Sequence, residues 1–376
     1  MFKNRIGIVG GGQLGRMLTF EAKKMGFNVT ILDPTLHSPA GQVADKQIIG
    51  SFKNSRSIVK LSQNTDFITF EIELANSKIL KNLQDQGLSI NPSPQTLSLI
   101  KDKLKQKKFL KKNHLSTADF IPVKTESDIV SAAKKFGYPL MLKARTDAYD
   151  GRGNALIKNK SDILPALKKL SDRKLYVEKF VPFIKELSVV VARSLISDIA
   201  TYPVVETIHQ NNICHLVLAP AQIDIEIQDK AKKLAYNVVD CLNGAGVFAI
   251  EMFLTADNQV LVNEIAPRVH NSGHYTIEAC YTSQFEQHIR AISGLPLGRT
   301  DLKVPAAVMI NILGDRLGPA QTEGLEKALA VPGVSIHIYG KTETKPERKM
   351  GHITVLDNNL DDAVKKAKLV RSYIKI

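Results

Sequence analysis

Val247-Phe248-Ala249-Ile250-Glu251-Met252-Phe253 and Val260-Leu261-Val262-Asn263-Glu264-Ile265 are two apolar runs flanking a polar stretch, Thr255-Ala256-Asp257-Asn258. This is the pattern of a β-hairpin. If Leu254 pairs with Gln259, Glu251 lies opposite Val262. Glu264 then sits two residues further along, on the same face, because side chains alternate with a period of two. Two carboxylates set among apolar residues on one face tolerate each other when a cation lies between them. Oxygen donors, with Asn263 adjacent, predict Mg²⁺ rather than zinc. Ala266-Pro267-Arg268-Val269-His270-Asn271-Ser272-Gly273-His274-Tyr275 follows at once. So many polar side chains just beyond an acidic strand predict a pocket.

Upstream, Leu140-Met141-Leu142 reads as a strand that ends in Lys143 and Arg145. A glycine-bearing loop follows, Thr146-Asp147-Ala148-Tyr149-Asp150-Gly151-Arg152-Gly153-Asn154. A lysine on a rigid strand beside a loop of free backbone N–H groups can hold phosphates. The loop contains no G-K-[ST], so it is not a Walker A loop. Tyr176-Val177-Glu178-Lys179-Phe180-Val181 reads as a strand stopped by Pro182, and Glu186 opens the strand Leu187–Val191.

Near the start, Ile6-Gly7-Ile8-Val9 is a buried-strand pattern followed by Gly10-Gly11-Gly12-Gln13-Leu14-Gly15. Leu14, Met17, Leu18, Ala22 and Met25 then recur at helical spacing until Gly26. Val29–Leu32 is a second strand, ended by Asp33-Pro34. G-x-G-x-x-G between a strand and a helix, with an acid after strand two, is also the dinucleotide-binding pattern. A further strand, Phe67–Phe70, runs into Glu71-Ile72-Glu73, and Asn91-Pro92-Ser93-Pro94 marks a boundary.

Composition narrows the classes. The 376 residues are 44% hydrophobic and 23% charged, an ordinary globular balance. No apolar run approaches the ~18 residues of a membrane-spanning helix. The opening residues lead straight into a strand with no leader-like segment, so a cytoplasmic protein is expected. Cys214, Cys241 and Cys280 are scattered and odd in number, with no zinc spacing and no disulfide framework. The net charge of +14 invites a nucleic-acid reading. Much of the excess lies in Lys101–Lys112, where Leu104 and Leu110 mark a buried stripe and the lysines are expected to be solvated. There is no RNP-like aromatic motif and no zinc finger, so no nucleic-acid partner is expected.

Taken together, Gly10–Gly15, Glu71-Ile72-Glu73, Tyr149–Gly153, the Asn263–His274 run and Arg348-Lys349-Met350-Gly351-His352 resemble the ATP-grasp enzymes. Within them the chain is most similar to the N5-carboxyaminoimidazole ribonucleotide synthetase family. The resemblance runs through nearly the whole chain. It implies a mixed α/β and α+β fold: an N-terminal doubly wound parallel sheet (1–94), a central ATP-grasp domain (95–299) with a lid at about 117–180, and a small β-rich C-terminal domain (300–376). It implies that bicarbonate, activated by ATP as carboxyphosphate, carboxylates aminoimidazole ribonucleotide, with release of ADP and phosphate and with Mg²⁺ as cofactor, in a homodimer.

The same resemblance implies site roles. Lys103, Lys143 and the loop Tyr149, Asp150, Gly151, Arg152, Gly153, Asn154 would cover the ATP phosphates. Glu178, Lys179, Phe180 and Val181 would form the adenine hinge. Glu186 and His209 would meet the ribose. Glu251 and Glu264 would bind Mg²⁺, beside Asn263. Arg268 and Asn271, with Lys143, would hold the reacting bicarbonate. The ribonucleotide would lie among Gly12, Gln13, Leu14, Glu73, Tyr149, Asp150, Arg268, His270, Asn271, Ser272, Lys341, Arg348 and Lys349. The chain departs from the family pattern at Asp147-Ala148, where two glycines are usual. It also departs at Asn154 for Gln, at Lys103 for Arg, and at Leu74 for Asn. The alternatives are another ATP-grasp ligase, a formate-dependent transformylase, and an NAD-dependent dehydrogenase argued from Gly10–Gly15 and Asp33.

Overall fold

The computed structural model describes residues 4–147 and 153–376. The N-terminal segment forms a five-stranded parallel sheet, ordered Lys46–Ile49, Asn28–Asp33, Arg5–Val9, Phe67–Phe70, Ser89–Ile90. The strand order reverses between Arg5–Val9 and Phe67–Phe70. The turns leaving those two strands, Gly10–Gly12 and Glu71–Glu73, therefore face one crevice. Helix Gln13–Lys24 buries Leu14, Met17, Leu18 and Ala22, as their spacing predicts, and ends at Gly26 with φ +79°.

A four-stranded antiparallel sheet stands apart, ordered Phe120–Val123, Leu175–Lys179, Leu140–Ala144, Asn154–Ile157. Helices Glu126–Phe136 and Ile163–Lys169 close its own core around Ile129, Leu140, Leu142 and Val177. This is the segment expected as the lid.

Among the described residues the largest sheet has nine strands, one of which, Ile199–Thr201, pairs with Phe183–Arg193 off the main order. Val260–Ala266, Gly246–Thr255, Phe183–Arg193, Val205–Gln210 and Ile213–Ala219 continue without a break into Ala306–Leu313, Lys349–Asp357 and Val334–Ile338. The C-terminal strands thus extend the central sheet, and helix Leu360–Tyr373 covers their outer face. Phe248, Ile250 and Met252 are at most 1% exposed, and each such side chain contributes roughly 1.5–3 kcal/mol of burial. One core joins the N-terminal helix to helix Gln284–Ser293 through Met17, Leu18, Phe285 and Ile289. Inside this junction, His288 Nδ1 accepts from Val247 N at 3.0 Å, and Nε2 lies 2.7 Å from Thr69 Oγ1. Burial holds its pKa down at about 3, so the ring stays neutral and pins the two sheets together.

The lysine-rich helix departs from expectation. It spans Lys103–Lys112, capped by Asp102, and Leu104 and Leu110 are buried as predicted. Lys103 and Lys107, one turn apart, point inward instead of into solvent, and Lys107 is 2% exposed. No described helix is long and apolar enough to cross a membrane.

Candidate active site

The hairpin forms, in a different register from the expected one. Leu254 pairs with Val260 and Met252 with Val262; then a bulge intervenes, and Glu251 pairs directly with Glu264. Asn263 is the extra residue that the bulge leaves without a partner in the ladder. The turn closes one residue wider than Leu254–Gln259 because Thr255 N donates to Gln259 O at 3.0 Å. Direct cross-strand partners point to the same face. The bulge therefore brings the two acids closer than the simple alternation would have done.

Both carboxylates open partly onto the crevice, at 27% and 39% exposure. Lys103 Nζ lies 2.7 Å from Glu264 Oε2, and His270 Nε2 lies 3.7 Å from Glu251 Oε1. Desolvation, then repulsion from Glu264, pushes the Glu251 carboxyl up to about 7. Desolvation also acts on Glu264, but the Lys103 ammonium outweighs it and holds that carboxyl below its usual range. Without a second cation the pair carries one compensated and one uncompensated charge. A hard divalent ion would relieve that imbalance and take oxygen ligands from both residues.

Lys143 Nζ sits 2.6 Å from Glu178 Oε2 and 3.5 Å from Asn263 Oδ1. Glu178 is 4% exposed, so its carboxylate meets lysines rather than a base. Any adenine contact at Glu178–Val181 falls to the backbone and to Lys179, Phe180 and Val181, where the lid sheet joins the central sheet. Glu186 Oε1 lies 3.2 Å from His209 Nδ1. Burial lowers the His209 pKa, but Glu186 outweighs it and leaves the ring above its ordinary value. Gly153 O accepts from Ala144 N at 2.8 Å, and Asn154 pairs with Lys143, which anchors the far side of the loop. Tyr149, Asp150, Gly151 and Arg152 lie outside the described residues. Asp147 adopts φ +56°, the left-handed region that glycine enters freely.

Arg268 follows the Glu264 strand and runs towards the N-terminal sheet, with Nη2 2.8 Å from Glu73 Oε1. Its Nε is buried with no acceptor among the described residues. A buried guanidinium donor without a partner is a ready site for an anion. Asn271 is less available than expected: it exchanges amide hydrogen bonds with Asn311, at 3.0 and 2.7 Å. Ser272 is fully buried, with its hydroxyl 2.8 Å from Ser188 Oγ and 2.9 Å from His270 Nδ1. Both contacts are internal, and the hydroxyl orients the His270 ring.

The glycine turn is filled from within. Gly12 N donates to Glu71 Oε1, and Gly15 N to Glu71 Oε2 at 2.7 Å. Gly11 N and Thr35 N donate to the two Asp33 oxygens at 2.8 Å each. A Cβ at Gly10 would stand 2.6 Å from Glu71 Cγ, so the glycine admits this carboxylate. The turn's N–H groups are spent on the chain's own acids. None of Gly11, Gly12 or Gly15 is left for a pyrophosphate, and Asp33 is not free for a ribose. A dehydrogenase's dinucleotide therefore has no donors to meet at this turn. Leu14 likewise packs into the core, so only its backbone can face a ligand.

Beside this turn a cleft of about 130 Å³ separates Gly11, Gly12, Thr35 and Ser38 from Lys341 and Arg348. Lys341 Nζ donates to Lys349 O at 2.6 Å, and Arg348 Nη1 to Glu343 O at 2.6 Å. Burial, then Arg348 and Lys349, lower Lys341 to about 8. Gln42 Nε2 donates to Gly340 O at 2.7 Å, tying this loop to the N-terminal sheet. Thr35 and Ser38 escape sequence reasoning; their only signal is that they follow Asp33 at the carboxyl end of a strand.

Three family models match in succession: a ribonucleotide synthetase preATP-grasp domain over 3–101, an ATP-grasp domain over 108–285, and a phosphoribosylaminoimidazole carboxylase C-terminal domain over 307–366. The chain is 48% identical to a phosphoribosylaminoimidazole carboxylase of Candida albicans, across 96% of this chain and 66% of the relative. It thus spans about two thirds of that protein's length. It is 49% identical to the N5-carboxyaminoimidazole ribonucleotide synthetase of Thermotoga maritima, with TM-score 0.90 and 99% of each chain covered. A synthase from Aspergillus clavatus, solved with ADP and 5-aminoimidazole ribonucleotide, is 38% identical, with TM-score 0.91 over 99% of this chain and 98% of that one.

Proposed function

Because this chain belongs to the N5-carboxyaminoimidazole ribonucleotide synthetase family of ATP-grasp enzymes, we propose that it carboxylates aminoimidazole ribonucleotide with ATP and bicarbonate, a step of purine synthesis. The observation that carries this reading is the Glu251–Glu264 pair, facing Lys143 and Lys103 and followed directly by the unpartnered Arg268 donor.

Bicarbonate is a poor electrophile until one oxygen becomes a leaving group. An oxygen of bicarbonate attacks the γ-phosphorus of ATP, the bond to the β-phosphate oxygen breaks, and carboxyphosphate and ADP result. The ribonucleotide's exocyclic amine then takes the carboxyl carbon, loses a proton and releases inorganic phosphate. Glu251 and Glu264 would hold Mg²⁺, which would supply charge neutralisation for the phosphates. Lys143 and Lys103 hold the phosphate chain, and Glu186 with His209 takes the ribose. Arg268, oriented by Glu73, holds the carboxylate being activated. Lys341 and Arg348, across the cleft from Thr35 and Ser38, take the 5′-phosphate of the ribonucleotide. The three scattered cysteines support a reducing, cytoplasmic setting, and the family resemblance supports a homodimeric state.

ADP release tests the assignment. It is expected to require bicarbonate and aminoimidazole ribonucleotide and to be indifferent to formate; dependence on formate would replace this reading with the transformylase. A pH prediction follows from Lys341. In the free protein it loses its proton around pH 8, so the KM for the ribonucleotide rises above about that pH while the KM for ATP stays level. Lys341→Met is expected to raise that KM at pH 7 and to remove the inflection. An unchanged inflection in the variant would take Lys341 out of the phosphate site.

A further inference from the structure

Lys107 takes no part in the chemistry above, yet it is 2% exposed in the middle of the nucleotide side of the site. A lysine is almost never this buried unless its charge is used. Its Nζ donates to Thr117 Oγ1 at 2.8 Å and to Val262 O at 3.2 Å, and it lies 3.0 Å from Glu178 Oε1. Thr117 Oγ1 in turn donates to Val262 O at 2.8 Å. One ammonium on the helix Lys103–Lys112 therefore contacts the lid strand Leu175–Lys179 and the central strand Val260–Ala266 that carries Glu264.

The other oxygen of Glu178 is held by Lys143 at 2.6 Å. Two ammoniums thus share one carboxylate. Their charges sum to +1, with Lys107 sealed behind Glu178 and Lys143 facing Asn263. Were Glu178 paired with Lys143 alone, the sum would be zero, and Lys143 would be neutralised at the place where phosphates must bind. We propose that Lys107 is a positioning residue: the hidden counter-ion that occupies Glu178, so that Lys143 keeps its positive charge for the nucleotide phosphates while the lid stays tied to the metal strand. This rests on the nucleotide reading above.

The experiment measures binding of ADP with Mg²⁺ by calorimetry, alongside the melting temperature, in the wild type, Lys107→Met and Lys107→Met/Glu178→Gln. Lys107→Met is expected to weaken ADP about tenfold, within the roughly 5–150-fold span of site couplings. The double variant, which removes the competing carboxylate as well, is expected to bind several-fold more tightly than Lys107→Met. A merely structural lysine predicts the reverse, since the second substitution in the same core would weaken binding further. Wild-type affinity in Lys107→Met, or a folded double variant as weak as a lysine-only loss, overturns the inference. Should Lys107→Met fail to fold, the double variant alone decides: tenfold-weakened ADP in a folded protein refutes the proposal, and binding several-fold tighter than that supports it. Failure of the wild type to bind ADP would instead remove the nucleotide reading, and this inference with it.

Discussion

Glu264→Gln is expected to lower the rate of ADP formation by roughly 10²–10³-fold while leaving the fold intact. The side chain is 39% exposed at the crevice, so the change removes a charge without emptying a core. Two functions are lost together. The pair loses one of its two carboxylates for the cation. Lys103, held 2.7 Å from that carboxylate, loses its anchor. Burial is the larger cause of the raised Glu251 carboxyl and stays in the variant; the same change relieves only the repulsion from Glu264, so that carboxyl should fall part of the way back. Turnover, measured against the magnesium concentration and beside the circular dichroism spectrum, checks this. Near-normal turnover at ordinary magnesium, with the spectrum unchanged, would remove the cation from these two acids.

Arg268→Ala is expected to lower kcat by about 10²-fold and to leave the KM for ATP within a few-fold, as for loss of a group that stabilises developing charge. The guanidinium bridges two parts of the molecule, with Nη2 on Glu73 and Nη1 donating to Val269 O at 3.1 Å, which leaves buried Nε for the reacting carboxylate. Lysine keeps the charge but lacks the planar fork. Arg268→Lys should therefore recover only a small part of the rate. Because Glu73 loses its partner in Arg268→Ala, some loss of stability is expected as well. Comparing kcat in Arg268→Ala with kcat in Glu73→Gln separates the two roles. If both variants lose rate equally and KM values rise together, Arg268 acts only by joining the two parts.

How much of this was legible beforehand differs from residue to residue. The parallel N-terminal sheet, the helix Gln13–Lys24 and the acidic hairpin all rest on local periodicity and turn chemistry, and these stand where the spacing put them. The register of Glu251 against Glu264 did not. A one-residue bulge at Asn263 has no signature in an apolar run, because the bulge is stabilised by what packs on both sides of it. The lysine-rich helix reads as a wet face because its composition is mostly polar. Its inward Lys107 depends on Glu178, Thr117 and Val262, the farthest of them 155 residues away. Asn271 and Ser272 looked like ligands for the same reason: nothing near them in the chain announces Asn311 or Ser188.

Sequence alone determined which side chains stand at the ends of which strands, since strand, turn and helix patterns are short-range and survive without knowledge of partners. Tertiary structure alone decided which of those groups are free. Glu71 fills the glycine turn that would otherwise suit a dinucleotide, Glu178 is shared between two lysines, and Arg268 keeps one donor unspent. The physical reason is that a buried charge or donor takes its character from what lies within a few ångströms in space, and that distance is set by the packing of the sheets.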